Sequence, residues 1–123
     1  MTSFIPNVRR AQKESLFFRE ISQLFMQAAL DDPRLNDVMI HRVQLSPDKG
    51  VCTVYFYTNQ GEEHFKNILN VLVLYRPSLR KALASKIRSR YTPELIFRFD
   101  TQFEKQLRID QLLEEQKTRD EPS

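Results

Sequence analysis

Glycine, cysteine and histidine are scarce in this chain, and each scarcity removes a class of chemistry. Two glycines in 123 residues, Gly50 and Gly61, cannot build the glycine-rich loop whose backbone amides cradle a nucleotide phosphate. Nucleotide hydrolysis by that route is therefore not expected. A single cysteine, Cys52, allows no internal disulfide and fits a reducing compartment. It lies inside a strand-like run and reads as core rather than nucleophile. The two histidines, His41 and His64, have no cysteine or carboxylate partner at zinc-type spacing, so no metal site is expected. Glu62-Glu63 and Glu114-Glu115 are adjacent pairs that point in different directions on helices. They suit solubility and helix-dipole roles, not a paired acid and base. No apolar run approaches the roughly 20 residues that span a bilayer, and the opening MTSFIPNVRR lacks the basic-then-apolar layout of an export signal. A cytoplasmic protein is expected, with no membrane partner or small-molecule substrate, and an enzyme is the less favoured alternative.

What is present is a basic helix. Between Tyr75 and Tyr91 stand Arg76, Arg80, Lys81, Lys86, Arg88 and Arg90, with no acidic residue among them. The same stretch carries Leu79, Leu83 and Ile87 at four-residue spacing, the pattern of one buried helix face. A helix of this kind buries one side and holds a cationic strip on the other, which suits a phosphate backbone. A plain solvated face has the same pattern. Charge is unevenly spread: residues 1–99 hold 15 basic and 9 acidic side chains, whereas residues 100–123 hold 4 and 7. The formal total of +3 thus hides a strongly basic body, which points to a polyanionic partner.

The element pattern is α+β. Asn7 to Leu30 reads as a long helix with an apolar stripe through Phe17, Phe18, Ile21, Leu24, Phe25 and Ala28, stopped by Asp31-Asp32-Pro33. Val38 to Leu45 and Val51 to Thr58 read as strands of a hairpin. In the joining Ser46-Pro47-Asp48-Lys49-Gly50, the glycine is the residue suited to positive φ. A second helix opens at Gly61-Glu62-Glu63 and buries Phe65, Ile68, Leu69 and Leu72. Pro77 is expected to break it, so that two helices meet at an angle. Glu94 to Asp100 reads as a third strand, and Thr101-x-x-Glu104 as the capping box of a short helix to about Glu115. One domain over residues 1–116 is expected, with a polar, disordered tail over 117–123.

Helix, strand, strand, helix, helix, strand is the order of a type II KH domain, a three-stranded sheet with helices on one face. The usual KH mark is a G-x-x-G clamp between the adjacent helices. Here that place holds Tyr75-Arg76-Pro77-Ser78. The octamer Lys49 to Phe56 matches the RNA-recognition consensus at four positions, but Val51 and Thr53 stand where its base-stacking aromatics belong. The element order disagrees with that fold as well, and the match is rejected.

Three segments carry a more specific resemblance. Asp32-Pro33-Arg34-Leu35 follows the first helix, Val43-Gln44-Leu45-Ser46-Pro47-Asp48 leads into the hairpin, and Arg80 to Phe97 closes on RYTPELIF. In this order and spacing they resemble the ribosome-binding factor A family of small-subunit assembly factors. The resemblance implies a type II KH-like fold, no enzymatic activity and no cofactor. It further implies binding to the small (30S) ribosomal subunit and its 16S rRNA during late maturation, rRNA processing and cold adaptation. Family members have an A-x-G interhelical kink; this chain departs from it, with Tyr75, Arg76 and Pro77 at the aligned positions. With the resemblance, Arg76, Arg80, Lys81, Lys86, Arg88 and Arg90 become expected rRNA contacts, with Arg10 and Lys13 beside them. For Tyr75 and Tyr91 half-buried packing is favoured over base stacking, and Asp32 with Arg34 reads equally as a helix-end brace. A monomer is expected. The alternatives are a generic single-strand nucleic-acid binder and a protein-interaction module with a basic face.

Overall fold

The computed structural model describes residues 4–87 and 91–120, with side chains over 8–87 and 91–117. Helix α1 spans Phe4–Asp31, strand β1 Met39–Leu45, strand β2 Val51–Tyr57, helix α2 Glu62–Lys86, strand β3 Glu94–Phe99 and helix α3 Thr101–Asp120. A short 3-10 turn, Pro33–Leu35, joins α1 to β1. The sheet order is β1-β2-β3, with β1 and β2 antiparallel and β2 and β3 parallel. A parallel pair needs a crossover, and α2 supplies it.

One face of the sheet is buried. Ile40, Val43 and Leu45, Cys52, Val54 and Phe56, and Leu95, Phe97 and Phe99 point to a common core. Against them pack Phe17, Ile21 and Phe25 of α1 and Phe65, Leu72, Leu79 and Leu83 of α2. Phe56, 0% exposed, is its centre, edge-on to Phe25 at 5.4 Å and to Phe97 at 5.2 Å. Truncating a ring so placed costs about 3–5 kcal/mol. Alternation along β1 is imperfect for a local reason. The register slips between Ile40 and Arg42, a bulge that leaves His41 unpaired in the ladder and re-aims both it and Arg42.

Four expectations need correction. Pro77 does not split α2: one helix of 25 residues runs through it. Proline removes a single helical donor, and the apolar row on both sides of it, Leu72 before and Leu79 and Leu83 after, stays buried on the same core. Packing therefore outweighs the lost bond. Positive φ in the hairpin falls on Lys49 (61°), not Gly50. Asp48 Oδ1 accepts from the Gly50 amide at 3.0 Å, and a Cβ on Gly50 would sit 3.3 Å from that oxygen. Glycine is there for close approach, while Gly61, at φ 92°, is the residue the backbone demands at the start of α2. The cap of α3 is Asp100, one residue before Thr101, its Oδ1 accepting from Phe103 N at 3.2 Å. Finally, α3 continues to Asp120, past Glu115 and into the expected tail; its last turns hold helix formers and no glycine or proline.

Two outcomes follow. Replacing Pro77 by alanine should restore a donor to the Val73 carbonyl and stabilise the protein by about 1–2 kcal/mol, offset in part by a freer unfolded chain. Urea unfolding measures it, and no gain would mean the helix is interrupted there. Cys52, 0% exposed, has its thiol pushed up to about 12 by burial and by the nearby Glu14 charge. It should be inert to an aromatic disulfide reagent at neutral pH in the native protein and titrate fully in urea.

Candidate nucleic-acid interface

The two long helices run antiparallel, as two contacts far apart along them show. Tyr75 Oη donates to Asp32 Oδ2 at 2.6 Å, and Lys86 Nζ lies 3.7 Å from Glu20 Oε2. Stepping back along α1 from Asp32 to Glu20 thus means stepping forward along α2. Arg10 and Lys13, both half-buried, lie two to three turns beyond Glu20, at the end where α2 finishes. Arg76 and Arg80 lie nearer the Tyr75–Asp32 contact, several turns along the helix pair from Arg10 and Lys13.

The cations of α2 differ in what they already hold. Arg80 donates through Nε to Pro93 O at 3.2 Å and through Nη2 to Thr92 O at 3.0 Å. Arg76 reaches Leu95 O at 3.4 Å, with its guanidinium 5.8 Å from the Phe97 ring centroid. These two arginines brace α2 against the chain entering β3, and neither is paired with a carboxylate among the described residues. Lys86 is shared with Glu20. Lys81 is exposed. Arg88 and Arg90 lie outside the described residues.

Pro77, Arg80, Lys81, Ala84, Tyr91 and Thr92 line a shallow groove of about 440 Å³. It is cationic, and Tyr91 at its rim is 73% exposed, which corrects the expectation of half-buried packing. A larger concavity of about 660 Å³ lies by Arg42, Tyr55, Glu62 and Arg98. Its charge is mixed, because Glu62 forms part of the wall and Arg42 is committed to Asp100. The smaller groove is the better polyanion site.

Tyr75 is not a free stacking ring. Asp32, 7% exposed, accepts from Tyr75 and from Arg34 through N, Nε and Nη2 at 3.1, 2.9 and 2.7 Å. The Arg34 guanidinium and the Tyr75 hydroxyl hold its carboxyl well below the usual range. The D-P-R-L segment is therefore a helix-end brace that ties α1 to the middle of α2, and the position of the expected kink is its anchor.

A second polar cluster is invisible in the sequence because its members lie about 60 residues apart. The Asp100 carboxylate, 1% exposed, accepts from His41 Nδ1 and Arg42 Nε, both at 2.8 Å. Burial pushes its pKa up, but the Arg42 and His41 bonds and the Phe103 amide outweigh burial and leave it lowered. Arg42 also lies over Tyr55, 3.8 Å from the ring centroid. His64 Nε2 lies 3.1 Å from Asp37 Oδ2 without hydrogen-bond alignment. Among the described residues no three histidine, cysteine or carboxylate side chains are placed to hold a metal ion. No described helix is long and apolar enough to cross a membrane.

An α+β fold with a mixed three-stranded sheet and helices on its inner face is that of a KH-like protein. A sequence model of ribosome-binding factor A matches residues 9–113, and the chain belongs to that family. It is 34% identical over 107 residues to ribosome-binding factor A of Geobacter metallireducens, covering 87% of this chain and 91% of that one. The crystal structure of ribosome-binding factor A from Thermus thermophilus superposes with a TM-score of 0.62 at 32% identity, over 73% of this chain and 93% of that one. A homology model of the Thermus thermophilus factor, fitted into a cryo-electron-microscopy map of a 30S complex with that factor, gives 0.55 at 32% identity, over 68% of this chain and 87% of that one.

The lowered pKa of Asp100 fixes a sign. A carboxyl depressed in the folded state stabilises above its unfolded value of about 3.9, and that contribution is lost as pH falls through the folded pKa. Asp100→Asn should cost about 1–3 kcal/mol at pH 7, below the figure for a fully buried pair because Arg42 is partly solvated. The difference from the parent should shrink at pH 2 to 3. Urea unfolding at both pH values checks it, and a gap independent of pH would refute the charge-based account.

Proposed function

We propose that this protein is a non-enzymatic RNA-binding factor that attaches as a monomer to the small ribosomal subunit and its 16S rRNA during late maturation. The observation that carries this is the cationic groove at Pro77, Arg80, Lys81 and Tyr91, on a chain of the ribosome-binding factor A family. Lys81 and the free edge of Arg80 meet phosphates, and Lys86, Arg76, Arg10 and Lys13 widen the footprint, with Arg88 and Arg90 continuing the same basic run. Tyr91, 73% exposed, lies at the rim of the same groove. Residues 1–116 act as one unit in the cytoplasm, and support of rRNA processing and of growth in the cold are the expected cellular consequences. The chemistry is binding: the factor holds a conformation of immature rRNA and leaves when assembly is complete. Specificity comes mainly from shape, because the groove offers few groups that read base edges.

Binding to purified small subunits from 50 to 200 mM salt, beside a short unstructured RNA, tests the proposal. Engagement of about six phosphates predicts a fall of roughly a thousandfold over that range for subunits, and weak binding to the short RNA. Equal affinity for both would favour a generic single-strand binder. Lys81→Ala, which disturbs no described contact, should reduce the salt slope by about one with the melting temperature unchanged. Arg80→Ala should lower both affinity and stability, since it releases two backbone carbonyls.

A further inference from the structure

The two edges of the sheet differ. At the β1 edge the Leu45 amide, turned away from β2, donates to Glu14 Oε2 of α1 at 2.7 Å, and the bulge at His41 interrupts the row. Both devices discourage another strand from pairing there. The β3 edge has neither. Glu94 and Asp100 give their amides to Gly50 and Phe56, so by the alternation of a parallel pair the amides and carbonyls of Leu95 and Phe97 face away from the sheet. Among the described residues only Arg76 reaches this row, by one long bond of 3.4 Å to the Leu95 carbonyl. The concavity of about 660 Å³ has Phe97 and Phe99 in its wall, so α2 leaves the row open.

An open row of this kind takes an extended strand, and the side chains beside it select which one. Glu94 and Arg98 are exposed and flank the half-buried Ile96 on the outer face. Neither has an ion-pair partner among the described residues. A second copy laid antiparallel across a two-fold axis at Ile96 sets Glu94 of each copy opposite Arg98 of the other. Leu95 and Phe97 then exchange their edge amides and carbonyls, while the charged residues form the non-bonded pairs whose side chains lie closest. Moving the axis by one residue sets Glu94 against Ile96 or against Asp100, and matches no charge with its opposite. We propose that the free protein pairs with a second copy through β3, joining two three-stranded sheets into one and held by reciprocal Glu94–Arg98 ion pairs. The same register brings Phe99 and Asp100 of one copy beside Pro93 and Thr92 of the other, at the groove that Thr92 and Arg80 line. The copy that attaches to a subunit is therefore the single one, and the pairing itself does not depend on the small-subunit reading.

Sedimentation of the full-length protein over about 5 to 500 μM reads the pairing, because such a dimer grows with concentration. Glu94→Arg and Arg98→Glu each set like charges opposite at both ends of the seam. Either should weaken the dimer by about tenfold or more, with the circular dichroism and melting temperature unchanged. The double variant Glu94→Arg/Arg98→Glu exchanges the signs and should return the parent's dimerisation. Mixed in equal amounts, the two single variants should form a heterodimer tighter than either homodimer, since every charge across the seam is then met by its opposite. A parent that stays monomeric over the whole range overturns the inference. So does a dimer that the single variants leave intact, or one that the double variant fails to restore.

Discussion

The parallel pairing of β2 and β3 is the constraint on which the rest of the structure depends. Parallel neighbours cannot be joined by a tight turn, so the chain must cross the sheet between Tyr57 and Glu94, and the crossing element must bury a face. Helix α2 does this with Phe65, Leu72, Leu79 and Leu83, a row long enough to carry the helix through Pro77. Because that face is committed to the core, the arginines and lysines of the second half can only point to the flanks or to solvent. The cationic groove is thus a consequence of the crossover. Its floor is α2 and its rim is the chain returning to β3, which Arg80 fastens through the Thr92 and Pro93 carbonyls.

Two buried carboxylates do for the joints what the apolar residues do for the core. Asp32 collects Arg34 beside it and Tyr75 from α2; Asp100 collects His41 and Arg42 from β1 and caps α3. Each would be costly to bury alone, and each is answered by donors from different elements, so the bonds specify angles that hydrophobic contact leaves free. The bulge at His41 belongs to the same device. Consecutive strand residues ordinarily point to opposite faces, and only the slip in register lets His41 and Arg42 converge on one carboxylate.

Periodicity made most of the fold legible. The alternating and β-branched run Val51–Tyr57, the four-residue spacing of Leu79 and Leu83, and the turn chemistry of Ser46–Gly50 all became the elements they suggest, while Ile87 of the same row stands just past the end of α2. What failed were local preferences overridden by partners distant in sequence. Pro77 argues for a break when α2 is considered alone, but the continuing burial of Leu79 and Leu83 opposes it. Thr101 has the form of a cap, yet Asp100 precedes it and has His41 and Arg42 to keep it ionised. At the candidate site the same limit applies. The sequence marks every cation between Tyr75 and Tyr91 alike, and only the fold separates Lys81, open to solvent, from Arg76 and Arg80, which share their donors with backbone carbonyls, and from Lys86, which faces Glu20.

That separation bears on how an RNA-binding surface of this kind divides affinity from geometry. A lysine such as Lys81 brings a mobile point charge, whose contribution comes mainly from displaced counterions and falls as salt rises. Arg80 is different: Nε and one terminal nitrogen are already bonded, so the guanidinium plane is fixed and the remaining donors point in set directions before any ligand arrives. Less side-chain freedom is then lost on binding, and a phosphate must come to a defined place. Arg80 and Tyr91 line the same groove, so on the RNA-binding reading a strand whose phosphate met Arg80 would pass the tyrosine ring. On the RNA-binding reading, mobile lysines bring the polyanion in, and the braced arginine with its aromatic neighbour sets the register in which it rests.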